Sequence, residues 1–203
     1  MRPPVEYLLG STSVSFVSVA FPGFVHGDRR APAQEVLAHI LRTGLLWEKI
    51  RMTGGAYGAF AHSRLAEGVF AFSSYRDPHT ARTLDAYREA LEELGSVAPS
   101  ESMIEQAKVA MLGRELRPLP PRDAGYVNFR RQLHDITDHV RQELRDRVWE
   151  VGASDVRDVA LTLAERLADG WIAIVGGQSG LDELREKRGT GAGSEISVRD
   201  LGV

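Results

Sequence analysis

Two short strand-like runs, 56–63 and 68–75, are separated by only a few residues. That spacing dictates a tight antiparallel hairpin, because a parallel pair needs a crossover of a dozen residues or more. A block of helix-period segments comes next, before the later strand candidate Trp171-Ile172-Ala173-Ile174-Val175, which Gly176-Gly177 stops. A doubly wound parallel sheet requires strands and helices to alternate, and here they come in blocks. The expected class is therefore α+β, with an antiparallel sheet covered by helices on one face.

The remaining segments fit this frame. Residues 11–21 read as a strand through Val14, Phe16, Val17 and Val19, ended by Pro22-Gly23. Ala33, Val36, Leu37, Ile40 and Leu41 recur at helical spacing, with Gly44 as the stop. Asp77-Pro78 closes the hairpin and precedes a helix carrying Leu84, Tyr87, Leu91 and Leu94 on one face. A helix over 100–114 is expected to turn Met103, Ala107, Ala110 and Met111 inward. Arg117-Pro118-Leu119-Pro120-Pro121 is a stiff break, yet the chain beyond it is not self-sufficient, so one domain over 1–203 is expected. Helices are expected over 124–134, over 138–151 and after Ser154, where Val156, Val159, Ala160, Leu163 and Leu167 form a stripe. A buried strand at 171–175, a short helix, a glycine-rich stretch from Gly189 to Gly193 and an edge strand at 195–199 complete the reading.

Composition removes several function classes. The net charge of −3 offers no basic excess for nucleic acid. The absence of cysteine excludes disulfides, cysteine nucleophiles and cysteine zinc ligands. The early apolar run from Val14 to Phe21 is too short to span a bilayer, and no targeting pattern precedes it, so neither a membrane role nor a compartment is indicated. The opening Met-Arg-Pro-Pro reads as a linker rather than as the start of a domain. Of the six histidines, His134 and His139 are the densest pair, but a five-residue spacing sets two imidazoles well apart around a helix. No zinc-protease motif, forward or reversed, occurs, so no metal ligand is assigned. Gly176-Gly177-Gln178-Ser179-Gly180 lacks the lysine of a phosphate loop and reads as a turn.

One constellation is unusual. In Leu45-Leu46-Trp47-Glu48-Lys49-Ile50-Arg51-Met52-Thr53-Gly54-Gly55-Ala56-Tyr57-Gly58, a helix-like apolar stretch ends in an arginine, two glycines and a tyrosine entering a strand. Glycines without a Cβ let another backbone approach, which makes Gly54 and Gly55 candidate substrate-binding positions. Arg51 and Tyr57 flank that bare patch and both donate hydrogen bonds. Facing a cleft, such a pair can hold a peptide carbonyl oxygen as it becomes an oxyanion. The same residues also read as a surface arginine and a half-buried sheet tyrosine. Arg76 and Asp77 read as turn and cap, and Trp47 as core or interdomain packing.

This segment resembles a motif in the last domain of presequence proteases, a branch of the pitrilysin/insulinase metallopeptidases. The resemblance extends through Gly68-Val69-Phe70-Ala71-Phe72-Ser73-Ser74-Tyr75-Arg76-Asp77-Pro78 and the opening Pro4-Val5-Glu6-Tyr7. A looser similarity covers residues 130–138, where His134 and Asp135 replace small residues of the family pattern. The resemblance implies a mitochondrial-processing-peptidase-like α+β fold and a fragment of a longer four-domain chain that closes around unfolded peptide. Zinc would be bound by an N-terminal domain, and this chain alone would be inactive. Arg51 and Tyr57 would be the catalytic contacts contributed from this domain, with the peptide and the other domains of the same peptidase as partners. A non-catalytic subunit that pairs with a separate catalytic chain is the alternative, and an unrelated ligand-binding α+β domain is a third.

Overall fold

The computed structural model describes residues 5–189 and 195–202. Two features of the sequence, Met1–Pro4 and the glycine-rich stretch beyond Gly189, lie outside the described residues. The strands are β1 (Val5–Leu9), β2 (Phe16–Pro22), β3 (Gly58–Arg64), β4 (Val69–Tyr75), β5 (Trp171–Gly176) and β6 (Ile196–Asp200). The helices are α1 (Ala31–Thr43), α2 (Ala81–Ser96), α3 (Glu101–Glu115), α4 (Pro121–Leu133), α5 (Asp138–Glu150), α6 (Ala153–Leu167) and α7 (Gln178–Arg188). A π-helical turn, Trp47–Met52, precedes β3.

The strands form one sheet in the order β3-β4-β2-β5-β1-β6. The α+β class holds, and β3, β4, β2 and β5 are antiparallel to their neighbours in that run as expected. The other end of the sheet departs from the purely antiparallel expectation. β1, not foreseen as a strand, lies between β5 and β6 and is parallel to both. Its five residues gain their strand character from partners at the far end of the chain, which local patterning does not reveal.

Pleating sends alternate side chains to opposite faces. Val17, Val19 and Phe21 of β2, Phe70 and Phe72 of β4, and Ile172 and Ile174 of β5 all point into the core. There α1, α2 and α6 bury their apolar stripes against them: Leu37 and Leu41, Tyr87 and Leu91, Val159 and Leu163. The Phe72 ring stacks on Tyr87 with centroids 4.8 Å apart, and the Tyr87 hydroxyl donates to the Val17 carbonyl at 3.2 Å. Trp171, placed in a buried strand by the sequence reading, opens β5 on the opposite face and is 70% exposed. In α3 the inward stripe is Ile104, Ala107, Lys108 and Met111, so Met103 and Ala110 face outward. On that inward side the Lys108 ammonium reaches Glu105 at 2.8 Å and the Trp149 carbonyl at the end of α5 at 2.9 Å.

The first turn of α2 is held from a distance. Glu183 of α7 accepts from the Thr80 amide at 2.8 Å and the Arg82 amide at 3.1 Å, satisfying donors that a helix leaves free at its start. Asp77 accepts from the His79 amide at 3.0 Å and the Thr83 hydroxyl at 2.8 Å, so its turn-and-cap role stands.

Replacing Phe72 by Ala removes a fully buried ring and should destabilise the fold by about 3–5 kcal/mol. Trp171→Ala should change stability by less than about 0.5 kcal/mol. Urea denaturation of both variants measures the contrast.

Candidate functional site

The Arg51–Tyr57 segment is built by backbone geometry. After α1 ends at Gly44, the chain enters the π-helical turn, whose wide winding shows in the bond from the Thr53 amide to the Glu48 carbonyl at 2.9 Å. The Ala56 amide then reaches back to the Ile50 carbonyl at 3.0 Å. A Cβ on Gly54 would stand 2.5 Å from the Ile50 oxygen, and Gly55 adopts φ +81°. Both glycines thus have a local structural reason: the chain must reverse tightly to bring Tyr57 to the mouth of β3. Ile50 is the buried anchor of the turn, while Arg51 faces solvent.

Arg51 makes no side-chain hydrogen bond or ion pair among the described residues, in contrast to Lys49, which lies 3.2 Å from Glu93. Tyr57 is 70% exposed, and its ring meets Tyr75 edge-on at 5.8 Å. Tyr75 in turn meets Phe16 edge-on at 5.3 Å. The four candidate residues therefore share one turn, with the arginine and the phenol free to donate. Trp47 is 43% exposed, so it is not a core residue.

Tyr57 belongs to a wider surface that local reading of the sequence missed. The helix-free face of the sheet carries small residues along its middle. Ser18 pairs with Ser73 and Ala173, and Ala20 pairs with Ala71. Phe16, Phe60 and Tyr75 rise beside this floor, and His62 stacks on Phe60 while bonding the Ser73 hydroxyl at 2.9 Å. Only the strand register brings these positions together.

His62 also reaches a cavity of about 560 Å³ at the outer edge of the sheet, bounded by α1, β3, α3 and the α4–α5 arm. Burial lowers the pKa of His62, with Arg64 and Arg42 adding to the effect. His39 is lowered by burial and then by Arg42 and Arg114. His26 is lowered by burial and His134, against the opposing pull of Glu67. Burial raises Glu35, against the opposing influence of Ser63, Arg114 and Arg42. These side chains come from segments spread over more than a hundred positions, and no spacing rule links them.

His134 and His139 are both exposed, at the α4–α5 junction. Among the described residues no three His, Cys, Asp or Glu side chains are grouped to hold a metal ion. The Gly176–Gly180 stretch is a packing turn: a Cβ on Gly177 would fall 1.9 Å from the Thr12 carbonyl oxygen.

A sequence model of the PreP C-terminal domain matches residues 5–176, which takes in every strand except β6. The chain belongs to the PreP C-terminal domain family. Two sequence relatives show the extent of the match. A protein of Borreliella burgdorferi is 30% identical over 80% of this chain and 16% of its own length. The mitochondrial presequence protease of Danio rerio is 33% identical over 73% of this chain and 14% of its own length. This PreP C-terminal domain therefore spans about a sixth or less of the relatives it matches. A peptidase M16 inactive domain from Pseudomonas fluorescens shares the fold with TM-score 0.68 at 14% identity, covering 87% of this chain and 44% of its own. Pitrilysin shares it with TM-score 0.61 at 14% identity, covering 98% of this chain and 22% of its own.

The depressed imidazoles carry a sign. Each stays neutral in the folded chain at a pH where the unfolded chain, near 6.5, takes up a proton. Their contribution to stability is complete above pH 6.5 and is lost as pH falls through the lower folded values. Thermal unfolding between about pH 7 and pH 5 should show this decline, and a His39→Gln/His62→Gln double variant should show a flatter one.

Proposed function

We propose that this chain serves as the C-terminal, zinc-free domain of a presequence-protease-type metallopeptidase. In this reading it closes one side of a chamber around unfolded peptide and contributes Arg51 and Tyr57 to the reaction. The observation that carries it is the family match over residues 5–176, which takes in five of the six described strands, together with two hydrogen-bond donors left free on one turn. The other domains of the same peptidase are its partners, and 1–203 acts as a single unit within that assembly.

In this reading zinc belongs to another domain of the same peptidase, the one that carries the catalytic motif. Bound there, it would supply Lewis-acid activation of water. The residues of this chain act on the substrate from the opposite side. The Arg51 guanidinium donates a charge-assisted hydrogen bond toward the scissile carbonyl oxygen, and the Tyr57 hydroxyl donates a second. These bonds strengthen as negative charge develops on that oxygen, which lowers the barrier rather than merely holding the peptide. Gly54 and Gly55 shape the turn that presents the two donors, and the absence of side chains there leaves room for a passing peptide backbone. The edge-on contact with Tyr75 fixes the Tyr57 ring, so less rotational freedom is lost when peptide binds.

In the intact peptidase, Arg51→Ala or Tyr57→Phe should each lower kcat by about two to three orders of magnitude while circular dichroism of the domain is unchanged. Wild-type turnover in both variants would end the assignment. This chain alone, with zinc added, should cleave no peptide.

A further inference from the structure

The cavity at the sheet edge holds more positive charge than its own carboxylates balance. Six arginines line it, against the glutamates at 35, 67 and 115. Two of those carboxylates are already engaged: Glu67 pairs with Arg130, and Glu115 accepts from Arg141 and Arg145, each at 2.9 Å. Arg42, Arg64 and Arg114 have no carboxylate within ion-pair distance among the described residues, and Arg131 bonds only the Asn128 side-chain oxygen at 3.4 Å. The third glutamate, Glu35, is half-buried; burial raises its pKa, against the opposing pulls of Ser63, Arg114 and Arg42.

The surroundings point the same way. Arg42 lies 3.3 Å from the His39 ring nitrogen, which is not a carboxylate counter-charge. Burial and Arg114 lower the pKa of Arg42 against the opposing pull of Glu35, and burial, Arg141 and Arg145 lower that of Arg131 against Glu115 and Asp138. The His26 Nδ1 atom is buried in the same wall without a hydrogen-bond partner among the described residues. Like charges gathered in a half-enclosed space repel, and an entering anion reverses the sign of that energy. The guanidinium fork matches the two oxygens of a carboxylate or phosphate. A volume of about 560 Å³ accommodates a small organic anion or the acidic side chain of a peptide.

We propose that this cavity is an oxyanion-binding site in which Arg42, Arg114 and Arg131 grip a carboxylate or phosphate group. The site shares no residue with the Arg51–Tyr57 turn and does not depend on the peptidase reading. Helix α4, which buries none of its residues, forms the outer wall over the ligand.

Isothermal titration of this chain with inorganic phosphate, a glutamate-rich tetrapeptide and its glutamine counterpart tests the site. Saturable binding of phosphate or the glutamate peptide is expected, with none of the glutamine peptide. Arg42→Gln and Arg114→Gln, assayed separately, should each weaken it about ten-fold or more. Arg157→Gln, on α6 away from the cavity, should leave it unchanged. Binding of the glutamate peptide alone identifies a carboxylate site for peptide side chains; binding of phosphate alone identifies a site for small free oxyanions. No saturable binding by the wild-type chain, or equal weakening by all three variants, overturns the proposal. The wild-type titration decides even if a cavity variant fails to fold, which its thermal unfolding curve reports.

Discussion

One-sided burial of the sheet is the constraint on which the rest of the molecule depends. Ladder bonds join β2 to β4 and β5, and pleating then places Val19, Phe72 and Ile172 on the same side. Slipping β2 by one residue would turn Val17, Val19 and Phe21 to solvent and bring Phe16, Ser18 and Ala20 inward. The aromatic group of Phe21, Phe70, Phe72 and Tyr87 locks the register, because each ring fits the others at one alignment only. Covering this side with α1, α2 and α6 commits the helices to it. Among the described residues no helix covers the opposite side, which is left as a broad surface.

That surface and its borders are where the chemistry gathers. Small side chains along the middle strands make a low floor, and Phe16, Tyr57, Phe60 and Tyr75 stand at one end of it. The π-helical turn sets Arg51 beside the entry to β3 without using its guanidinium for structure. Around the β3 edge, His62 joins this surface to the arginine-lined cavity. Aromatic rings, two hydrogen-bond donors and a positive pocket thus lie within one domain.

The hairpin, the helix stripes of α1, α2 and α6, and the Arg51-to-Tyr57 motif were all legible locally, because each is encoded by residues a few positions apart. Strand β1 was not. Val5-Glu6-Tyr7-Leu8-Leu9 becomes a strand through parallel pairing with β5 and β6, and Tyr7 is secured by a bond from its hydroxyl to the Gly177 carbonyl at 2.8 Å. The outward place of Trp171 comes from its register opposite Ala20, which its own apolar neighbours do not disclose. The rotation of α3 brings Lys108 inward, where its ammonium finds a carbonyl on α5, a partner 41 positions away that the helix's own pattern does not disclose. The family resemblance added the expected fold and the candidate residues, but it carried nothing about the cavity.

The sequence by itself determined the α+β class, the identity of most elements and the turn that frees Arg51 and Tyr57. These depend on periodicity, turn chemistry and glycine stereochemistry, which act within a few residues. Tertiary structure alone decided the mixed character of the sheet, the capping of α2 by Glu183, the aromatic open face and the convergence of arginines at the β3 edge. Each of those arises from long-range backbone pairing or helix packing that brings distant side chains within a few ångströms, and no local pattern encodes such distances.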